Sequence, residues 1–171
     1  MVLNNYYLLR AAIDNTRMPT PSEQEFTMST GMTAIDGTTG LTLYTATNDM
    51  RFNTDNWALR TFLSMRVGIG TTEPVGTDYK LQSDMESYIV DKVVNVNVAE
   101  SDGKLVTTLT MTARSTAHIT ITEVGVTKGI VYTYAYTYPK KEVLLIRELL
   151  ENPIDVPAGQ GFSLSFVWEE V

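Results

Sequence analysis

Cysteine is absent from the 171-residue chain, and histidine occurs only once, at His118. Without thiols the chain has no disulfide, no cysteine nucleophile and no thiolate metal site. A single histidine does not build a His-rich metal centre, and neither a Gly-x-Ser-x-Gly element nor a Gly-rich phosphate loop accompanies it. We therefore expect no catalytic residue, no metal and no cofactor, and we interpret His118 as a structural or surface residue.

Positive charge is scarce as well. The chain carries 13 Lys and Arg against 20 Asp and Glu, which gives a formal net charge of -7. Modules that bind nucleic acid normally carry a basic stripe that neutralises phosphates. The only adjacent basic pair is Lys140-Lys141, so nucleic acid is not expected among the partners.

Long apolar runs are missing too. No run approaches the roughly 20 residues of a membrane helix. The N-terminal sequence MVLNNYYLLRAAIDN lacks the basic segment and long apolar run of a secretion signal. We expect no membrane partner, synthesis in a cytoplasm, and one ordinary domain or one domain plus an arm.

What the chain does have is a period of two in nearly every patterned segment after about residue 40. This period is typical of strands with one buried face. In the segment 88–98, for example, Val94, Val96 and Val98 face one way while Asn95 and Asn97 face the other. The segments are 40–46, 57–69, 88–98, 105–113, 119–124, 130–138, 143–149 and 162–168.

Turn residues divide these strands. Asp102-Gly103 between two alternating runs predicts a β-hairpin, because glycine adopts the positive φ of the primed turns cheaply. Pro153 and the segment 157–161 separate the last two strands. Residues 142–151 (EVLLIRELLE) are also compatible with a helix, but a strand is favoured because Pro139 and Pro153 flank them.

The sequence therefore predicts an all-β fold, an antiparallel β-sandwich with an extended N-terminal arm. We assign residues 1–38 to the arm or linker and residues 39–171 to the sandwich domain. The apolar YYLLRAAI is compatible with a short helix or strand, and the polar stretch after it is long for a packed loop. The alternative is an extra strand that pairs with the chain's own sheet. Residues 53–56 (NTDN) offer oxygen ligands for calcium, although a polar turn before Trp57 is the simpler interpretation.

Four tyrosines, Tyr132, Tyr134, Tyr136 and Tyr138, occupy one face of a predicted strand at spacings of about 7 Å. The opposite face is small and mildly polar. Two interpretations stay open: the tyrosines pack into the protein's own core, or they form a surface for a subunit or ligand. Together with Trp57 or Trp168, they would also suit stacking on a glycan.

The C-terminal two thirds of the chain carry several elements in a characteristic order. They are GIGTTEP (68–74), the Asp102-Gly103 hairpin, ITEVG (121–125), Leu145-Ile146-Arg147 and PAGQG (157–161). In this order they resemble small β-sandwich structural proteins of tailed bacteriophage virions, a group of head, collar and tail components. The resemblance covers residues 57–171 and does not extend to residues 1–56.

The resemblance implies a jelly-roll sandwich and a non-enzymatic virion structural protein that assembles as a homo-oligomer. It favours head decoration or a head-tail junction or collar role, with a carbohydrate-binding or receptor-binding module of a phage tail as the alternative. The expected partners are other copies of the chain and other virion proteins, and the expected location is the virion. The residues we expect at an interface are Tyr6, Tyr7, Leu8, Leu9, Tyr132, Tyr134, Tyr136 and Tyr138.

The element ITEVG also suggests a local role for two residues. We expect Gly125 to let the chain bend or bulge where an alternating strand leaves its sheet. Glu123 would then lie at that corner and accept backbone N–H groups.

Overall fold

A computed structural model describes residues 1–8, 26–29, 31–39, 41–45, 63–101, 103–131 and 140–170. Within these ranges the chain is built almost entirely of strands, which confirms the expected all-β class. Residues 4–8 are helical and Glu86–Tyr88 form a 3-10 turn. The strands are β1 (Phe26–Ser29), β2 (Thr42–Thr45), β3 (Leu63–Gly68), β4 (Ile89–Ser101), β5 (Lys104–Ser115), β6 (Ile119–Val131), β7 (Lys140–Val156) and β8 (Gly161–Glu170).

The strands form a two-stranded sheet β1-β2 and two three-stranded sheets, in the orders β3-β6-β7 and β4-β5-β8. β5 is antiparallel to both of its neighbours and is the centre of its sheet. The jelly-roll connection of these strands stays a prediction.

The predicted hairpin is confirmed. β4 and β5 pair from Ser101↔Lys104 next to the turn down to Ile89↔Ser115. Gly103 in the turn has φ +74°, the left-handed conformation for which glycine was expected there.

One extra residue interrupts β4 near its start, where the register shifts between Val90 and Val93. Asp91 in this bulge has φ +55°, a value that Asp adopts more readily than most residues. Arg114 holds the Asp91 carboxylate through Nε at 3.0 Å and Nη2 at 2.8 Å. The bulge is therefore stabilised by a side chain from the strand that it faces.

Two predicted strand ends are wrong. β6 continues through Gly125 to Val131, so the strand does not end at Val124. β7 likewise continues through Pro153 to Val156. β7 is the last strand in the order β3-β6-β7, and a proline is compatible with a strand at the edge of a sheet. The choice of a strand over a helix for residues 142–151 is confirmed.

The chain divides into two compact units. Unit 1 consists of Met1–Phe62, Pro74–Lys80 and Thr127–Arg147, and unit 2 of Leu63–Glu73, Leu81–Val126 and Glu148–Val171. β6 and β7 contribute residues to both. The predicted boundary between the arm and the sandwich domain at residue 38 stays a prediction.

In unit 1 the first residues of the chain pair with β7. Leu3 N–H donates to Leu145 O at 2.9 Å and Arg147 N–H donates to Met1 O at 3.0 Å, around an antiparallel bridge between Val2 and Ile146. Leu3 is fully buried. Residues 1–3 thus contact the protein's own sheet through an isolated bridge, and an extra strand in the N-terminal segment stays a prediction, since residues 9–25 lie outside the described ranges.

Polar side chains complete the packing of unit 1. The Asn5 amide donates to Thr33 O at 2.9 Å and to Leu144 O at 3.1 Å, and its Oδ1 accepts the Thr33 N–H at 3.2 Å. Arg147 is only 3% exposed and donates from Nη1 to Asp78 Oδ2 at 2.7 Å. A buried guanidinium needs such a counter-charge, because an unpaired buried ion is costly.

Within unit 1, a turn at residues 34–38 contacts the start of β7. Ile35 N–H donates to Glu142 O at 2.9 Å, and the Lys141 ammonium donates to the Asp36 carboxylate. Thr38 N–H donates to Asp36 Oδ1 at 3.0 Å. The Asp36 carboxylate therefore accepts one hydrogen bond from β7 and another from within its own turn.

We expect Asp36 to give the fold a measurable pH dependence. The hydrogen bond from Lys141, followed by those from Thr38, lowers the pKa of Asp36 from 3.8 to about 2. A carboxyl with a depressed folded pKa stabilises the fold above its unfolded pKa, and this stabilisation is lost as the pH falls through the folded pKa. The Asp36→Asn variant should therefore melt below the parent at neutral pH, and the gap should close as the pH falls from about 4 to about 2. Melting curves of both proteins over this range test it, and a gap that does not change with pH would contradict it.

Candidate functional site

The predicted interface residues at the N-terminus lie on the helical segment 4–8. The Tyr6 and Tyr7 rings meet edge to face, with centroids 5.6 Å apart and planes at 87°. Tyr7 is 61% exposed and Leu8 is 36% exposed, so both are accessible to a partner. Their role at an interface stays a prediction.

Leu9 and the four tyrosines at 132, 134, 136 and 138 lie outside the described residues. The same holds for Trp57, for the candidate calcium ligands at 53–56 and for the side chain of Trp168. The two interpretations of the tyrosine face therefore both stay open, as does glycan stacking.

Glu123 on β6 is the centre of a buried polar cluster in unit 2. Its side chain is fully buried. Oε1 accepts the N–H of Gly70 at 3.1 Å and of Ser83 at 2.8 Å, and Oε2 accepts the N–H of Gln82 at 3.2 Å. The hypothesis that Glu123 accepts backbone N–H groups is confirmed. Burying a carboxylate is tolerable only with such partners.

Gln82 connects this cluster to the backbone of Thr71 and Thr72. Its Oε1 accepts the N–H groups of Thr71 and Thr72, both at 2.9 Å, and its Nε2 donates to Thr72 Oγ1 at 2.5 Å. Thr122, the neighbour of Glu123, donates from Oγ1 to Gly70 O at 2.7 Å. Side chains therefore take the place of a β-ladder in holding the backbone of residues 70–72.

Gly68 and Gly70 of GIGTTEP are required for steric reasons and not for a positive φ. Neither Gly68 nor Gly70 has a positive φ. A Cβ atom on either would lie 2.5 Å from Glu123 Oε1, and on Gly68 also 2.7 Å from Ser83 O. The carboxylate and the loop approach each other so closely that only glycine fits.

The hydrogen bonds of this cluster hold the protein's own backbone. Both carboxylate oxygens of Glu123 are occupied by backbone donors and are closed to solvent. The sequence indicated the role of Glu123 but missed Gln82. The signal that was available is the pair of glycines two residues apart, which marks a close approach when no turn requires them.

His118 pairs with Asp155 on the surface of unit 2. Nε2 donates to Asp155 Oδ1 at 2.8 Å, and Thr120 Oγ1 donates to the same oxygen at 3.2 Å. The hydrogen bond from His118 holds the pKa of Asp155 below its usual value. The two side chains are 65% and 61% exposed, in agreement with the surface position expected for His118.

A His–carboxylate pair takes part in nucleophilic catalysis when a hydroxyl or thiol nucleophile lies on its other ring nitrogen. Among the described residues, no hydroxyl is hydrogen-bonded to Nδ1 of His118. Across the same residues, no group of three or more His, Asp or Glu is arranged to hold a metal ion. Within the described ranges, the helices are also too short or too polar to cross a bilayer.

The valine face of β4 is more exposed than predicted. The face carrying Val94, Val96 and Val98 was expected to be buried, and their partners on β5 are indeed buried, including Leu109 and Met111. Val96 and Val98, however, are 46% and 58% exposed. Strand alternation shows which residues share a face but does not show how far a covering layer extends.

Comparisons with protein families, with curated proteins and with solved structures find no match to this chain.

We expect Glu123→Ala to lower the free energy of unfolding by about 3 kcal/mol or more, because it leaves the N–H groups of Gly70, Gln82 and Ser83 without their acceptor. Denaturant unfolding measures this loss. Glu148→Ala, at an exposed position of β7, is the matched control and should change stability by no more than about 0.5 kcal/mol. Equal effects of the two variants would refute a stabilising role for Glu123.

A second pair of variants tests the close approach. Gly70→Ala should cost about 1–3 kcal/mol, because the added methyl group overlaps Glu123 Oε1 and the Gln82 side chain. Gly129→Ala on β6, where a Cβ meets nothing within 4 Å, should leave stability unchanged or slightly raised. The comparison uses the same unfolding measurement, and a Gly70→Ala variant as stable as the parent would exclude the proposed steric requirement.

Proposed function

We propose that this chain is a non-enzymatic structural protein of a tailed-bacteriophage virion, folded as a jelly-roll sandwich and assembled in repeated copies. Head decoration or a position at the head-tail junction or collar is favoured. The proposal starts from the resemblance carried by GIGTTEP, ITEVG and PAGQG in that order.

A contact between two of these elements supports treating GIGTTEP and ITEVG as parts of one folding pattern. Glu123 of ITEVG binds the N–H of Gly70 in GIGTTEP. PAGQG forms the turn between β7 and β8, where Gln160 N–H donates to Pro157 O at 3.1 Å and Gly159 has φ +81°. Ser115 at the end of β5 also holds this turn, because Gly159 N–H donates to Ser115 O at 2.7 Å. GIGTTEP and ITEVG, which are distant in sequence, are thus in direct contact, and PAGQG is held by the end of β5.

The observation that carries the assembly proposal is the apolar surface that remains. Tyr7 is 61% exposed, and Val93, Val96 and Val98 along β4 are 53%, 46% and 58% exposed. Apolar area removed from water contributes about 25 cal/mol per Å², from which the costs of association must be subtracted. Repetition on a symmetric particle adds many such contacts, so a modest interface in each copy suffices.

The polar groups of unit 2 are arranged differently from those of a reactive site. The carboxylate of Glu123 and the amide of Gln82 both bind backbone groups of one loop. These bonds hold the protein's own backbone. This arrangement favours a structural role for the cluster.

The test has two parts. The purified chain should show a mass above that of a monomer by light scattering, rising with protein concentration. Mass spectrometry of phage particles from the source of this sequence should then find the chain in stoichiometric, repeated amounts.

Two outcomes would overturn the proposal. One is a chain that stays monomeric at every concentration and is absent from particles. The other is a monomer that binds on a glycan array and loses this binding in the folded Tyr134→Ala variant, which would favour the glycan-binding alternative.

A further inference from the structure

β4 is an edge strand in the part of the chain that the structure describes, at one end of the order β4-β5-β8. It extends over 13 residues, Ile89–Ser101, and residues 95–100 are exposed without interruption. A long edge strand with exposed apolar side chains offers a row of backbone donors and acceptors to another strand. β4 is therefore a favourable surface for adding a strand.

The register identifies which backbone groups of β4 face outward. The two-residue turn closes on the pair Ser101↔Lys104, whose residues exchange both backbone hydrogen bonds. Pairs alternate along an antiparallel ladder, so Asn95 and Asn97 also bond to β5. The N–H and C=O groups of Val94, Val96 and Val98 consequently point away from β5.

The sequence of this edge is nearly self-complementary. Residues 92–100 read KVVNVNVAE, with Val96 at the centre. If the strand is paired antiparallel with itself about Val96, Asn95 faces Asn97, and Val94 faces Val98. At the ends, the basic Lys92 faces the acidic Glu100. The two halves of the strand match in side-chain type and in charge.

We propose that β4 pairs with β4 of a second copy, antiparallel, about a two-fold axis at Val96. The two β4-β5-β8 sheets then become one continuous sheet. This inference rests on the proposed assembly function and names the surface by which two copies meet. A two-fold contact uses the same patch on both partners, which is the property that the self-complementary sequence satisfies.

The side chains favour this register over those with the axis at residue 95 or 97, since in all three the outward backbone groups meet one another. With the axis at Val96, residue 96 faces itself and Val94 faces Val98, so residues with outward N–H and C=O groups meet one another. Moving the axis to residue 97 places Val94 opposite Glu100, and moving it to residue 95 places Lys92 opposite Val98. Either shift loses the matched charges.

Lys92 also has partners within its own chain. Its ammonium donates to the Glu86 carboxylate and to Met65 O at 3.3 Å. Its side chain is 22% exposed, so the contact with Glu100 of the second copy adds to an existing pair. The charges therefore select the register, while the backbone bonds and the valine pairs supply the affinity.

A single cysteine tests the axis directly, because the natural chain has none. In the proposed dimer the two copies of residue 96 face each other with Cα atoms about 5.5 Å apart, which is within the range for a disulfide. The Val96→Cys variant should form a covalent dimer on mild oxidation. Val167→Cys on β8, which starts from a valine 55% exposed, is the matched control and should stay monomeric on a non-reducing gel.

The register is tested by two further single variants. Val94→Cys and Val98→Cys should each cross-link poorly alone, because neither residue faces itself, and should form a covalent dimer when mixed. A shifted register or an unrelated contact would not give this pattern.

Association in solution provides an independent measurement. Val96→Lys places two ammonium groups opposite each other at the axis, so the dissociation constant of the dimer should rise by about fivefold or more. Val167→Lys should leave it unchanged. If the parent chain associates but Val96→Cys cross-links no faster than Val167→Cys, the β4 contact is wrong while assembly stands. If the parent chain is monomeric throughout, both the contact and the proposed assembly fail.

Discussion

The local structure of unit 2 depends on the hydrogen bonds that the Glu123 carboxylate accepts. A buried charge must be met by donors, and here the donors are backbone N–H groups of Gly70, Gln82 and Ser83. The loop therefore keeps one conformation, in which Gly68 and Gly70 approach the carboxylate too closely for any side chain. Several features of the sequence, including both glycines and Gln82, follow from this single requirement.

Much of the fold was predictable because strand alternation and turn chemistry are local signals. The hairpin at Asp102-Gly103 was correct, as was the choice of a strand for residues 142–151. The ends of β6 and β7 were wrong, because Gly125 and Pro153 usually interrupt strands and their tolerance depends on neighbours that the sequence does not show. The partners of Glu123 were beyond prediction for the same reason, since they lie 40–53 residues away along the chain.

The interaction surface shows a related limit. The sequence identified the valine face of β4 and the apolar residues near Tyr7, but it gave no measure of how much of each is covered. The structure leaves Val96 and Val98 exposed while Leu109, on the same face, is buried. This difference separates residues that stabilise the protein's own core from exposed residues on an edge strand, which are available to a second chain.

The bulge at Asp91 has a consequence for which insertions and deletions this protein tolerates. The hairpin turn sets the register of β4 with β5 from Val93 onward, so the extra residue decides only the orientation of the strand before it. Loss of Asp91 would turn Ile89 and Val90 over relative to β5 and would exchange their faces. A deletion at residue 91 would therefore reverse the start of β4 and leave the register from Val93 onward unchanged.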